Sequence, residues 1–235
     1  YTIISSSKAF SHRRLSIIDL NESANQPMTS NSKLWSIVFN GEIYNFDEIK
    51  KRLTYKFKTV SDTEVILAAF EEKGIDWFLK NANGMFAIAI YNTENQEIFL
   101  IRDRLGIKPL YYYCDGQKLV FSSEIKAVLS SGLVKAEFND LAVDEYLGNR
   151  YVREPYTFFK NIYQVNSGTY LRFNKSLEFK EYNYWSLPKA FNNNSDYIEE
   201  EIANLFEIEL IKAIRYRLIA DVPLGTYLSG GLDSS

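Results

Sequence analysis

Seven consecutive residues, Met85-Phe86-Ala87-Ile88-Ala89-Ile90-Tyr91, are apolar without exception. A run this short, bounded by Gly84 and by Asn92-Thr93, reads as a strand. Successive side chains of a strand point to opposite faces, so this one must be covered on both. An open sheet with one wet face is therefore excluded. Four further runs read as strands: Trp35 to Phe39, entering Asn40-Gly41; Ile98 to Arg102; Leu110 to Tyr113; and Leu119 to Ser122, the last two parted by the turn pair Asp115-Gly116. Helix signals lie between them. Asp62 stands as a cap before Thr63 to Lys73, with Gly74 after it, and Ser123 and Gly132 bracket a shorter helix. Strands packed on strands with helices outside make a layered α+β core.

The pattern changes near Trp185. Ser186-Leu187-Pro188 leads into Asn192-Asn193-Asn194-Ser195, a linker spanning 186–195. From Asp196 to Leu218, Ile198, Ile202, Leu205, Ile208, Ile211 and Ile214 recur at three- or four-residue spacing, so a long amphipathic helix opens a second domain, ended at the latest by Pro223. Gly225 to Leu228 then reads as a strand running into Ser229-Gly230-Gly231-Leu232-Asp233-Ser234-Ser235. Two glycines let a backbone approach an anion closely, and three hydroxyls can donate to it, which is phosphate-binding chemistry. A polar turn is the plainer alternative. The Gly-Lys-Ser/Thr ending of a Walker loop is absent, so transfer of a terminal phosphate is not indicated.

The 27 basic and 30 acidic side chains of the 235-residue chain nearly cancel. No broad positive field exists to hold nucleic acid or an anionic membrane, so small molecules are the expected partners. No apolar run is long enough to span a bilayer and no export pattern opens the chain, from which a cytoplasmic location is expected. The single cysteine, Cys114, excludes an internal disulfide framework and a multi-thiolate zinc site, and the sequence offers no metal-ligand cluster. The single histidine, His12, leaves little for a histidine-based nucleophile pair.

A site for free glutamine needs an arginine for the α-carboxylate, carboxylates for the α-ammonium, and an amide donor beside a backbone N–H for an oxyanion. Each type is present in the first third: Arg14 in His12-Arg13-Arg14-Leu15-Ser16-Ile17-Ile18-Asp19-Leu20, then Asn40-Gly41-Glu42, then Ser61-Asp62. Taken singly, Arg14 reads as a surface charge, Asn40-Gly41 as a hairpin turn and Asp62 as a helix cap.

Taken together, Arg14-Leu15-Ser16-Ile17-Ile18-Asp19, Gln26-Pro27-Met28, Phe39-Asn40-Gly41-Glu42-Ile43-Tyr44-Asn45, Ser61-Asp62-Thr63-Glu64-Val65, Gly84-Met85-Phe86-Ala87, the run from Arg102 to Tyr112 and Ser123-Glu124-Ile125-Lys126-Ala127 resemble the glutaminase domain of glutamine-hydrolysing asparagine synthetases. The terminal segment resembles the pyrophosphate loop of the ATP pyrophosphatases, which that family carries next. The resemblance implies an α+β fold: a four-layer αββα N-terminal-nucleophile hydrolase sandwich over 1–185, a class II amidotransferase domain, with the first elements of an α/β ATP pyrophosphatase domain over 196–235. By the same resemblance Arg14 holds the glutamine carboxylate, with Leu15, Ser16, Ile17 and Ile18 lining the pocket. Glu42 and Asp62 face the ammonium, and Asn40 with the Gly41 N–H forms the oxyanion hole. Leu228, Ser229, Gly230, Gly231, Leu232, Asp233, Ser234 and Ser235 hold the pyrophosphate of ATP. ATP with Mg2+ is the implied cofactor, aspartate the implied acceptor, and a homodimer is compatible; His12 is read as a structural hydrogen-bonding residue.

In that family the nucleophile is an N-terminal cysteine whose own amine is the base. This sequence begins at Tyr1, and Cys114 reads as an ordinary thiol, so truncation at both ends is expected, together with no glutaminase activity, weak ATP binding and an exposed sheet edge. Two alternatives stay open: a related amidotransferase with another acceptor, and a non-catalytic glutamine-binding scaffold.

Overall fold

The computed structural model describes residues 2–5, 8–188 and 198–232. Its centre is a six-stranded sheet in the order β11 (Phe179–Asn183), β10 (Thr169–Phe173), β6 (Glu97–Arg102), β5 (Gly84–Asn92), β4 (Trp35–Ile43) and β3 (Met28–Thr29), with every neighbouring pair antiparallel. A three-stranded sheet, β8 (Leu119–Ser122), β7 (Tyr111–Cys114) and β9 (Tyr163–Gln164), lies against one of its faces. β1 (Thr2–Ser5) and β2 (Lys8–Phe10) form a separate ribbon.

Strand alternation sorts the central side chains into two cores. Phe86, Ile88 and Ile90 of β5, Ile37, Phe39 and Ile43 of β4, and Phe99 and Ile101 of β6 point one way, where they meet the helices α1 (Phe46–Lys50), α2 (Asp62–Lys73) and α3 (Ile75–Asn81). Ala87, Ala89, Tyr91, Val38, Ile98 and Leu100 point the other way, onto Leu110, Tyr112 and Val165 beside the small sheet. The far side of the small sheet packs on α4 (Ile125–Ser130) through Val120, Tyr111, Tyr113 and Val128. The layers run helix, sheet, sheet, helix, as expected, because a strand apolar on both faces has to be sandwiched.

Four local expectations are corrected. The β4 strand does not end in a hairpin at Asn40-Gly41: its register with β5 continues unbroken from Trp35 opposite Asn92 to Ile43 opposite Gly84. Packing of a long partner strand outweighs the turn preference of the pair. The cap of α2 is Ser61, whose hydroxyl accepts from the Thr63 N–H at 3.2 Å, so Asp62 is freed for other partners. Ser123 does not cap α4, which is preceded by Glu124 without a side-chain cap bond. Gly225 to Leu228 pairs with no strand among the described residues and is irregular, since extended backbone becomes a strand only beside a partner. The second-domain helix spans Glu199–Tyr216 (labelled α6, after α5 at Asp140–Asn149) within the expected 196–218, while Asp196, the linker residues 189–195 and the loop residues Asp233, Ser234 and Ser235 lie outside the described residues.

Candidate functional site

The inter-sheet face of β4 and β5 carries two alanines, Ala87 and Ala89, where large residues elsewhere fill the space. Small side chains there leave a cavity of about 590 Å³, walled by the strands, by Phe121 of the small sheet and Leu110 just before it, and by the loop from Ser11 to Ile18. Because side chains alternate and the β4–β5 register has no bulge, Asn40 and Glu42 share the face of Val38 and enter this cavity. Arg14, Leu15, Ile17, Ile18, Gly41 and Asp62 also line it, so eight of the nine residues expected to handle glutamine meet in one place. Ser16 does not line it. Leu15 sits at the rim, 83% exposed.

Arg14 is held from behind. Its Nη2 donates to the carbonyls of Ile18, at 2.7 Å, and of Asp19, and its Nη1 donates to Asn21 at 3.1 Å. Three of the five guanidinium N–H groups are thus spent on one loop, and the others are left for a ligand. Asp19, itself buried, shapes that loop by accepting from the Val60 N–H at 2.8 Å and the Asn21 N–H at 3.1 Å.

Two carboxylates, Glu42 and Asp62, line the same cavity as the guanidinium. Asp62 is 5% exposed and accepts from the Ile43 N–H at 3.1 Å. Burial pushes its pKa up to about 6, against the opposing pull of hydrogen bonds from Ile43, Thr63 and Ser61 and of the Arg14 charge. Glu42 is pushed up to about 7, first by burial and then by the negative charge on Asp62, with Lys108 working the other way. One Glu42 oxygen, Oε1, is buried with no hydrogen-bond partner. Two desolvated acids with an unsatisfied oxygen make a site that a ligand ammonium would complete, lowering both pKa values.

Asn40 and Gly41, expected to form an oxyanion hole, lie side by side on β4 and both line the cavity. On the outer edge of β4 the Phe39 N–H donates to Gln26 Oε1 at 2.6 Å and the Ile43 N–H donates to Asp62, while β3 covers only Ser36 and Ile37. Period two puts the Gly41 N–H on the same edge, between the Gln26 amide and the Asp62 carboxylate. The Asn40 side-chain amide next to it donates from Nδ2 to Ser123 Oγ at 3.2 Å. Gly41 is required for this: its φ is +149°, and a Cβ there would meet the Met85 carbonyl oxygen at 2.0 Å.

Several residues that sequence reasoning quoted without a role belong to the site or support it. Gln26 ties β4 to the start of α2, its Nε2 donating to Thr63 Oγ1 at 3.3 Å. Lys108 lines the cavity and is positioned by the Asp103 carboxylate, which accepts from the N–H groups of Leu105, Ile107, Lys108 and Phe86 at 2.9 to 3.2 Å. Arg102 locks the same loop: Nε donates to the Lys108 carbonyl at 2.9 Å, Nη2 to Gly106 at 2.7 Å, and Nη1 pairs with Glu154. Burial and the Arg14 charge lower the pKa of His12, which lines the cavity with its Nδ1 buried and unpartnered. Cys114 is half-buried on β7, with Sγ 3.5 Å from the Leu177 carbonyl.

Of the terminal segment, residues 228–232 are described, and none of them lines this cavity. Leu228 and Leu232 are 73% and 97% exposed, and the Gly231 N–H donates to Ser229 Oγ at 3.3 Å. No cluster of three or more His, Cys, Asp or Glu that could hold a metal occurs among the described residues, and no helix there is long and apolar enough to cross a membrane.

Residues 2–185 match the family model of the glutamine amidotransferase domain, and residues 205–235 match that of asparagine synthase. A putative glutamine-hydrolyzing asparagine synthetase 2 of Methanocaldococcus jannaschii is 38% identical, aligned over 95% of this chain and 46% of its own length. Asparagine synthetase 3 (glutamine-hydrolyzing) of Bacillus subtilis is 35% identical over 96% of this chain and 37% of its own, and amidase chry2 of Gibberella zeae is 36% identical over 95% and 33%. The chain thus spans less than half the length of these relatives. A solved structure of an allosteric regulatory enzyme of purine biosynthesis superposes with a TM-score of 0.51 over 69% of this chain and 32% of that one, at 22% identity, a likeness of fold alone. With a family model spanning 2–185 and the next family beginning at 205, the chain belongs to the glutamine amidotransferase domain family, in the arrangement it shares with glutamine-hydrolysing asparagine synthetases.

Proposed function

We propose that the inter-sheet cavity binds L-glutamine and that the chain supplies the amidotransferase part of an asparagine synthetase. In this reading 1–185 is the amidotransferase domain, 186–195 the linker and 196–235 the start of the synthetase domain. The observation that carries it is the convergence of one guanidinium, two carboxylates of raised pKa and a side-chain amide on one cavity with ample room for an amino acid. Arg14 takes the α-carboxylate and Glu42 with Asp62 the α-ammonium. Asn40 Nδ2, released from Ser123, and the Gly41 N–H receive the oxygen that becomes negative as the amide is attacked. Those roles divide along the length of glutamine: charge recognition at one end orients the amide at the other.

In the complete enzyme, ammonia freed here is passed to an aspartate activated by ATP, with Mg2+ neutralising the phosphates. Ser229 to Ser235 would lie against the pyrophosphate. The similarity to amidase chry2, close to that of the synthetases, keeps a different acceptor as a second reading.

The test is calorimetric titration of the protein with L-glutamine. Saturable binding at one site is expected, and Arg14→Ala should weaken it roughly 10- to 100-fold, the scale of a charge-assisted hydrogen-bonded pair. Absence of binding, or an unchanged affinity in Arg14→Ala, overturns the assignment.

A further inference from the structure

The residues after α6 return to the amidotransferase core. The Arg217 guanidinium lies 5.1 Å from the centre of the Tyr44 ring, and Ile219 packs on the helix-side core. Asp221 then makes two bonds to one loop: its N–H donates to the Ile17 carbonyl at 2.9 Å, and its Oδ2 accepts from the Asp19 N–H at 2.7 Å. That loop is the one whose carbonyls at Ile18 and Asp19 hold the Arg14 guanidinium. Asp19 has a φ of +56°, a left-handed conformation uncommon outside glycine that aspartate adopts when its side chain is bonded locally, as it is here to Asn21. Its side chain is anchored from Val60 and Asn21, and its backbone from Asp221.

We propose that Asp221 is a positioning residue for the substrate carboxylate. By clasping Ile17 and Asp19 it orients the carbonyls that aim Arg14, so it acts on the ligand through Arg14 and not by contact. The proposal rests on the reading of Arg14 as the partner of the glutamine carboxylate. Asp221 lies outside the 2–185 amidotransferase match and inside the 205–235 asparagine synthase match, eight residues before Ser229. The glutamine pocket is therefore completed by a residue of the following segment. A ligand that shifts that segment must change the affinity for glutamine, and glutamine must change the affinity for that ligand by the same factor.

The experiment compares L-glutamine with 4-aminobutanamide, which keeps the ammonium and the amide but lacks the α-carboxylate. Asp221→Ala should weaken L-glutamine about ten-fold, the effect of losing a hydrogen bond to a charged group, and leave 4-aminobutanamide within about two-fold. Asp221→Asn, which keeps an oxygen acceptor for the Asp19 N–H, should recover most of the loss. Adding Asp221→Ala to Arg14→Ala should cost no further affinity, because the two act as one unit. Equal weakening of both ligands, or additive losses in the double variant, would overturn the proposal, since a merely structural anchor produces that pattern. Amide hydrogen exchange separates this claim from the glutamine reading. Asp221→Ala should accelerate exchange at residues 17–21 while α2 and β5 keep their protection. If the unmodified protein does not bind glutamine, the substrate reading fails by itself; unchanged protection at residues 17–21 in Asp221→Ala then refutes the clasp, and selective loss there supports it.

Discussion

Replacing Gly41 by alanine tests the geometry of the site at its most constrained point. The new Cβ would lie 2.0 Å from the Met85 carbonyl oxygen and 2.8 Å from the Phe86 Cα, both backbone atoms of the paired strand. No rotamer change relieves a clash between backbones, so β4 and β5 must separate by about 1 Å to restore ordinary contact. Overpacking of this kind costs about 1–3 kcal/mol. The φ of +149° adds roughly 1–3 kcal/mol for any residue with a side chain. A total of roughly 2–6 kcal/mol corresponds to a fall in melting temperature of about 4–24 °C for a domain of this size. Gly116→Ala is the internal control. Gly116 also has a positive φ, +82°, but its Cβ would meet nothing within 4 Å, so only the backbone penalty of about 1–2 kcal/mol applies. Differential scanning calorimetry of both variants decides the matter. A Gly41→Ala protein melting within about 3 °C of Gly116→Ala would refute the close approach of these strands, and with it the placement of the Gly41 N–H.

The raised carboxylates set a pH dependence. With Glu42 moved from 4.5 to about 7 and Asp62 from 3.8 to about 6, the fold holds both protons more tightly than the unfolded chain. Their contribution to stability is complete below the unfolded values and is lost as pH rises through about 6 and about 7. Urea denaturation at pH of about 5 and about 7.5 should show lower stability at the higher pH, and Glu42→Gln should flatten that decline; an unchanged slope counts against a buried, protonatable Glu42. The Arg102–Glu154 pair supports the loop that carries Lys108, with side-chain exposures of 5% and 31%. Glu154→Ala should cost about 2 kcal/mol in urea denaturation, below the range for a fully buried pair because Glu154 is partly solvated, and a loss under about 0.5 kcal/mol would contradict the latch.

Sequence patterns made much of this molecule legible. The unbroken apolar run from Met85 to Tyr91 foretold a strand covered on both faces, and the spacing of Ile198, Ile202, Leu205 and Ile208 foretold α6. These are local periodicities, so a linear reading captures them. The edge strand β11, Phe-Lys-Glu-Tyr-Asn, went unread because an outer strand with one wet side carries little apolar pattern. The strand read as Trp35 to Phe39 runs on through Asn40-Gly41, a pair that suits a hairpin in isolation and sits mid-strand opposite Ala87 and Phe86 in the fold.

Residue types alone declare a guanidinium, two acids and an amide suited to an amino acid, and the ordered motifs around them point to one family. Only three-dimensional packing decides that these groups share a cavity, that Asp62 turns from capping a helix to holding the edge of β4, and that Asp221 reaches back 202 positions to the Asp19 N–H. Helix and strand periods are set by neighbours in the chain, whereas desolvation, raised acidities and long-range clasps depend on which distant surfaces exclude water together.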